Sequence, residues 1–174
     1  MNGTERLAAI DRGTPSMAAA LPDLPMAETV MVRLLRVAVV GLGQYFEPAF
    51  RSLDLTESNF HVLCILMASE DGSASPSELS ELVGASRANM SRILDSLSAE
   101  GLVLREVSAV DARRAIVRIT AKGQERAESA LPLLAAPIRT AFADLTRDEF
   151  AGLDRLLRRV VQSFDRASQE RMSA

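Results

Sequence analysis

The sequence predicts a mainly α-helical protein with a small β-hairpin, an α+β fold. Three observations lead to this fold class. Apolar residues recur at helical spacing over much of the chain. Two short runs suited to strands, at 102–106 and 115–119, are separated by a polar loop and are typical of a hairpin. The helix before them follows another helix after a three-residue turn, Gly84-Ala85-Ser86, which is the spacing of a helix-turn-helix.

The first predicted helix runs from Ala27 to about Arg51, although two glycines and Pro48 weaken its second half. Before it, residues 1–25 mix Gly, Pro, Ser and Ala without periodicity, and we expect a flexible N-terminal arm there. Thr56 is the predicted cap of the next helix, which ends near Ser69 and is apolar almost all round. Because such a helix is buried on several sides, we expect it at the centre of the fold.

Strong local signals bound the helix-turn-helix. Ser75 supplies a cap and Glu78 the acidic residue of a capping box, with a proline at the first helical position between them. Gly84 is a typical C-terminal stop, and Ser86 caps the helix that follows. With the hairpin after it, this order of elements predicts a winged helix-turn-helix over about 55–120.

Two more helices follow the hairpin. Thr120 caps one that we expect to continue to about Asp144 with a bend at its two prolines, and a second capping box begins at Thr146. The last helix carries an apolar stripe that reaches Phe164. We therefore predict a single domain over 26–174, with terminal helices at about 27–51 and 121–171 around the winged head.

Composition excludes several classes of protein. Aromatic residues are 4% of the 174 and Trp is absent, which argues against a stacking platform for single-stranded nucleic acid. One Cys and one His exclude a disulfide framework and a zinc cluster. Neither a Gly-rich phosphate loop nor a nucleophile elbow is present, so we expect neither an enzyme nor a cofactor. The best apolar window, Val30–Gly43, contains two arginines and is too short to cross a bilayer, so we expect a cytoplasmic protein with no membrane partner.

The net charge of −3 hides a local excess of positive charge. Residues 86–122 hold seven basic and four acidic side chains, a local charge of +3 on an otherwise acidic chain. Within that range, the helix after Ser86 places Arg87, Asn89, Ser91 and Arg92 on its outward or N-terminal face. Arg and Asn suit guanine and adenine edges, and a helix N-terminus suits a phosphate. A solvated amphipathic face is the alternative, but the winged order of elements favours a helix that reads duplex DNA.

The loop of the hairpin carries Arg113 and Arg114, either of which could enter a narrow minor groove. Asp111 is unexpected near phosphate, and we predict a structural role for it, pairing with an arginine to hold the shape of the loop. A plain charged hairpin tip is the alternative.

Three motifs along the predicted hairpin resemble the wing of the MarR family and its exit into the next helix: Leu102-Val103-x-Arg105, Ser108-x-x-Asp111-x-Arg113 and Val117-x-Ile119-Thr120-x-Lys122-Gly123. Others resemble the multidrug-efflux repressors of the EmrR/MprA type within that family: Pro76-Ser77-Glu78-Leu79-Ser80, Ser86-Arg87-x-Asn89, Arg92-Ile93-x-Asp95 and Leu131-Pro132. The resemblance extends over about Leu53 to Pro132, and reaches the terminal helices in pattern only.

The resemblance implies a homodimer built from the first and last two helices, with two winged heads on a pseudo-palindromic double-stranded DNA operator. It also implies a repressor that a small aromatic or phenolic effector releases. By matching position, Arg87, Asn89 and Arg92 would contact a groove or phosphates, Arg113 would be the wing arginine, and Asp111 its structural partner. The apolar stripes of the terminal helices independently favour dimerisation, since a three-helix head cannot cover them.

We expect the effector pocket where the all-apolar helix meets the first helix and the helix after the wing. Its candidate lining residues are aromatic, polarisable or able to meet a phenolate or carboxylate: Tyr45, Phe46, Phe60, His61 and Met67. For each of them, ordinary core packing is the alternative.

Two other functions stay open. In a redox-sensing repressor Cys64 would carry the signal, but its apolar neighbours favour an inert, buried thiol. A winged-helix interaction module that binds no DNA is the other, and the arginines at the wing tip argue against it.

Overall fold

The computed structural model describes residues 1–107 and 115–172. The chain divides into two compact units, Met1–Ala130 and Leu131–Ala174. The helices of the described residues are α1 (Gly3–Ala20), α2 (Met26–Arg51), α3 (Glu57–Ala68), α4 (Pro76–Val83), α5 (Arg87–Ala99), α6 (Ala121–Ala141) and α7 (Arg147–Met172), and the strands are β1 (Ser73–Ala74), β2 (Val103–Val107) and β3 (Ala115–Ile119). The predicted fold class is confirmed.

Residues 3–20 form α1, so the prediction of an arm without regular structure over 1–25 is wrong. Asn2 and Glu5 cap this helix reciprocally: the side-chain oxygen of Asn2 accepts the Glu5 N–H at 2.9 Å, and the Glu5 carboxylate accepts the Asn2 N–H at 2.8 Å. Ile10 is buried, and α1 packs against α2. This packing stabilises a segment whose Gly13 and Pro15 disfavour a helix in isolation.

The first unit has one core, centred on α3 as predicted. Val62, Leu63 and Leu66 of that helix are fully buried. Their buried neighbours come from α4, α5, the strands and the start of α6, and include Leu79, Met90, Leu94, Leu97, Leu102, Val103, Val117 and Ala127. α3 is therefore the element around which the winged head is built.

The helix-turn-helix has the predicted caps. The Ser75 hydroxyl accepts the Glu78 N–H at 3.2 Å, and the Glu78 carboxylate accepts the Ser75 N–H at 2.7 Å. Gly84 ends α4 at φ 70°, a left-handed conformation that suits glycine. A further bond that the sequence did not indicate closes the turn: the buried Ser80 hydroxyl donates to the Ala85 carbonyl at 2.6 Å.

The hairpin is part of a three-stranded antiparallel sheet with the order β1-β3-β2. The sequence analysis predicts only two strands, and the third, β1, forms where Ser73 pairs with Arg118. The Ile119 N–H donates to the Gly72 carbonyl at 3.0 Å, and the Arg118 guanidinium donates to the Asp71 carbonyl at 2.6 Å. These partners lie more than forty residues away along the chain, so local sequence does not reveal the strand.

In the second unit, α7 begins at the predicted capping box. The Thr146 hydroxyl accepts the Glu149 N–H at 3.3 Å, and the Glu149 carboxylate accepts the Thr146 N–H at 2.8 Å. None of the residues of α7 is buried. α6 crosses from the first unit into the second, contains Pro132 and Pro137, and ends at Ala141, three residues before the predicted end.

Candidate nucleic-acid interface

The N-terminal half of α5 has one buried and one exposed face. Met90, Ile93, Leu94 and Leu97 form the inward face of the helix, each less than a tenth exposed. All the predicted DNA-contacting residues of this helix are exposed: Ser86, Arg87, Asn89, Ser91 and Arg92. The structure therefore brings them together on one continuous surface at the start of the helix.

Ser86 fixes where that surface begins. Its hydroxyl oxygen accepts the Asn89 N–H at 3.2 Å and so caps the helix. The backbone N–H groups of the first turn that remain without an intrahelical partner carry partial positive charge and point along the helix axis. The start of α5 can therefore accept an anion such as a phosphate oxygen.

The described arginines of the head fall into two groups. Arg105 and Arg118, on β2 and β3, each form ion pairs within the head. Within the described parts of the chain, Arg87 and Arg92 of α5 make no hydrogen bond or ion pair and are exposed. An exposed guanidinium without an internal partner keeps all five of its N–H donors for an external one. Arg87 and Arg92 are therefore available to an external partner, whereas the strand arginines are engaged within the head.

Arg105 belongs to the first wing motif but was given no role in the sequence analysis, although its side chain bonds β2 to α5. Its guanidinium donates to the Asp95 carboxylate at 2.6 Å and to the Ser91 carbonyl at 3.2 Å. Both acceptors belong to α5, one helical turn apart. The sequence shows an acidic residue on α5, Asp95, and a basic residue on the strand after it, but their pairing depends on how β2 packs against α5.

Arg118 connects the strands of the sheet. It donates to the Glu106 carboxylate of β2 at 3.3 Å and lies 3.7 Å from the carboxylate of Asp71, just before β1. A hydrogen bond from the Ser73 hydroxyl, with a smaller contribution from the Arg118 charge, holds the pKa of Asp71 below its ordinary value. The network keeps the base of the hairpin together.

The predicted wing-tip residues Asp111, Arg113 and Arg114 lie outside the described residues. β2 and β3, which lead to and from that tip, are described and pair in register from Val103 with Ile119 to Val107 with Ala115.

Three of the five predicted pocket residues belong to a row of aromatic rings that joins α2 to α3. Ring centroids are 4.9 Å apart for Tyr45 and Phe46, 6.4 Å for Phe46 and Phe50, and 5.8 Å for Phe50 and Phe60. Phe50, which was not predicted, is the buried link in this row. The other two candidates, His61 and Met67, are exposed and have no part in it.

A cavity of about 340 Å³ lies where α2 ends and α3 begins. Its lining combines apolar residues with charged ones at the rim: Gly43, Glu47, Phe50, Arg51, Leu55, Thr56 and Glu57. None of the five predicted residues lines it, and it shares only Phe50 with the aromatic row. Arg51 and Glu47 form an ion pair with each other.

Cys64 is half-buried, and desolvation by burial raises the pKa of its thiol above the ordinary value. A raised pKa lowers the fraction of reactive thiolate at neutral pH. Among the described residues, no helix is long and apolar enough to cross a membrane, and no group of three or more His, Cys, Asp or Glu side chains is placed to hold a metal ion.

Comparison with known proteins places the chain among bacterial regulators. A model of the MarR family matches residues 53–114. The transcriptional repressor MprA of Escherichia coli is 28% identical over 148 residues, which cover 85% of this chain and 84% of MprA. The multiple antibiotic resistance protein MarR of E. coli is 30% identical over 121 residues, which cover 69% of this chain and 80% of MarR.

The fold agrees with the sequence. A cysteine-to-serine mutant of E. coli MarR, crystallised with operator DNA, superposes with a TM-score of 0.70 at 25% identity, over 83% of this chain and 96% of that one. These relatives are regulators of transcription, which confirms that the chain is not an enzyme. By sequence and by fold, the chain is a member of the MarR family.

Proposed function

We propose that the chain is a transcription repressor that binds a double-stranded DNA operator through α5. The observation that carries the proposal is the exposed start of this helix, where Arg87 and Arg92 flank Asn89 and have no partner among the described residues. A recognition helix presents its N-terminal residues to base edges in the major groove, and arginine and asparagine can each bond a base edge bidentately. The names of the relatives agree with this role. We expect the protein to act in the cytoplasm.

The wing belongs to the same proposal. Arg113 and Arg114 would reach the adjacent minor groove, and Asp111 would hold the loop. This assignment is supported by the sequence motif and by the antiparallel pairing of β2 with β3, the two strands that precede and follow these residues in the chain.

We further propose that the protein acts as a homodimer, with α7 contributing to the interface. Large apolar side chains recur every three or four residues along this helix and are all more than a third exposed: Phe150, Leu153, Leu156, Leu157, Val161 and Phe164. A stripe of this size is costly in water and marks an interaction surface. A second copy presents the same stripe, as a two-fold interface requires.

The effector is proposed to be a small aromatic or phenolic compound that releases the repressor. The aromatic row from Tyr45 to Phe60 and the cavity at the end of α2 supply rings and apolar surface of the kind that bind such compounds. Tyr45, Phe46, Phe60, His61 and Met67 remain our candidate contacts. A ligand releases DNA only if it binds the DNA-free conformation better, and a roughly 100-fold preference supplies about 2.7 kcal/mol.

The experiment is selection of duplexes from a random-sequence pool, followed by footprinting of the selected DNA. We expect an inverted repeat whose half-site centres are separated by about 10 bp, bound by two copies of the chain. Sedimentation of the free protein should give a dimer, and Leu157→Glu should give a monomer, while Gln162→Glu on the opposite face of α7 should not. Recovery of no preferred duplex would contradict the proposal and favour an interaction module that binds no DNA.

The redox alternative is tested with the same duplex. Salicylate-like phenols should release the wild type and Cys64→Ser equally, because the thiol has a raised pKa and low reactivity. Release by peroxide alone, and only when Cys64 is present, would instead identify a redox-sensing repressor.

A further inference from the structure

Arg105 fastens the strand that leads into the wing to the proposed recognition helix. One nitrogen of its guanidinium donates both to the Ser91 carbonyl and to the Asp95 carboxylate, at 3.2 and 2.6 Å. These acceptors are four residues apart on α5, and Arg105 itself lies in the middle of β2, opposite Val117. The contact therefore holds two successive turns of α5 at one point of the strand.

The exposure of this contact indicates that it contributes little to the stability of the core. The side chains of Arg105 and Asp95 are 41% and 63% exposed, and exposed ion pairs stabilise a fold only weakly. The hydrophobic contacts of Met90, Leu94 and Leu97 already hold α5 on the head. Because apolar packing is not directional, the directional bonds of Arg105 are suited to fixing the rotation of α5 and its position along its axis.

We propose that Arg105 is a positioning residue for DNA recognition, which holds α5 and the hairpin in the mutual position that lets both contact one duplex. The proposal rests on the proposed function, since it assigns a role within DNA binding. Small displacements matter here, because base readout requires side-chain geometry to be held to within about 0.5 Å. Arg105 acts through α5 and is not itself assigned a contact with DNA.

The charge of Asp95 distinguishes the positioning role of Arg105 from a purely electrostatic effect on DNA binding. Replacing Asp95 by Asn removes a negative charge from the DNA-facing head, so electrostatics alone predicts tighter binding. The positioning role predicts weaker binding, since the neutral amide no longer anchors the guanidinium as strongly.

Arg118 is a matched control. It lies on the neighbouring strand, is 38% exposed and is likewise ion-paired, but its partners Glu106 and Asp71 belong to the sheet and to the turn before it. Arg118→Ala therefore removes the same charge from the same hairpin without removing a bond to α5.

The experiment measures Kd for the duplex selected by the wild-type protein and for an unrelated duplex, at several salt concentrations. We expect Arg105→Ala and Asp95→Asn each to raise Kd for the selected duplex roughly threefold to tenfold. The double variant should bind the selected duplex no more weakly than the weaker-binding of the two single variants. Binding to the unrelated duplex and the slope of log K against log salt should both stay unchanged, and Arg118→Ala should leave the preference for the selected duplex intact. Thermal unfolding checks that each variant is folded at the assay temperature.

Three results would overturn the proposal: tighter binding by Asp95→Asn, additive effects of the two substitutions, or a salt slope lower by about one for Arg105→Ala, which marks a direct phosphate contact. A wild-type protein that selects no duplex would instead contradict the proposed function itself.

Discussion

Among the glycines of the described residues, Gly123 leaves the least room for a side chain, and Gly123→Ala is the substitution whose cost the structure defines best. A Cβ atom added at this position would lie 2.1 Å from the Leu102 carbonyl oxygen and 2.9 Å from a side-chain carbon of Ile119. The carbonyl cannot easily move away, because it accepts the Thr120 N–H at 3.0 Å and lies 3.1 Å from the Thr120 hydroxyl, which also donates to it. The start of α6 would have to shift or lose these bonds.

The overlap between the added methyl group and the Leu102 carbonyl oxygen determines how much stability is lost. Carbon and carbonyl oxygen atoms normally approach to about 3.3 Å, so the added methyl group overlaps the oxygen by more than an ångström. Overpacking of this kind costs about 3 kcal/mol at the upper end of its usual range, and a lost hydrogen bond costs about 1 kcal/mol more. The better helix propensity of Ala offsets about 1 kcal/mol. We expect a net loss of about 3 kcal/mol, which lowers the unfolding temperature by roughly 6–12 °C.

Thermal and urea unfolding at one fixed protein concentration measure this loss, since assembly makes stability concentration-dependent. Gly13→Ala is the matched control, because it also lies within a helix and a Cβ there meets nothing within 4 Å. It should unfold at or slightly above the wild-type temperature. A Gly123→Ala protein as stable as Gly13→Ala would refute the close approach of α6 to Leu102.

Two further predictions concern helix caps. Ser86→Ala should destabilise the protein by about 1 kcal/mol in urea unfolding, because it removes the oxygen that accepts the Asn89 N–H. Ser91 does not cap the helix, so Ser91→Ala should destabilise the protein less. Equal losses of stability in the two variants would contradict the capping role of Ser86. Hydrogen bonds from the Thr146 hydroxyl and backbone hold the pKa of the Glu149 carboxyl below its ordinary value. Ionised Glu149 therefore stabilises the start of α7 above the pKa of the unfolded chain, and this contribution is lost as the pH falls through the lower folded-state pKa. An NMR titration should give a low midpoint for Glu149 that rises in Thr146→Ala, and an identical midpoint in both proteins would be the contrary result.

Most of the helical architecture follows from local sequence signals. Ser75 with Glu78, Gly84, and Ser86 each fix a helix end through bonds to residues within five positions, so their pattern can be read without knowing the fold. The exposed residues of α5 follow in the same way, because burial of Met90 and Leu94 determines which side of the helix faces outward.

The features that were missed depend on long-range packing. β1 exists because Ser73 meets Arg118, and α1 is stabilised by packing against α2 as well as by a cap at Asn2. The pair of Arg105 with Asp95 likewise requires the path of the chain around the turn that follows α5. The spacing of residues along the sequence does not indicate such distances. An arginine that forms an ion pair within the head therefore looks the same in the sequence as one that can bind an external partner.

The central claim is that the start of α5 binds duplex DNA, and the salt dependence of binding by Arg92→Ala tests it most directly. Arg92 is exposed and, among the described residues, has no internal partner that its loss would disturb. If it contacts a base or a phosphate, Arg92→Ala should weaken binding of the selected duplex by about 1–3 kcal/mol, and a phosphate contact should also lower the salt slope by about one. Arg92→Ala binding with wild-type affinity and an unchanged slope would contradict the claim.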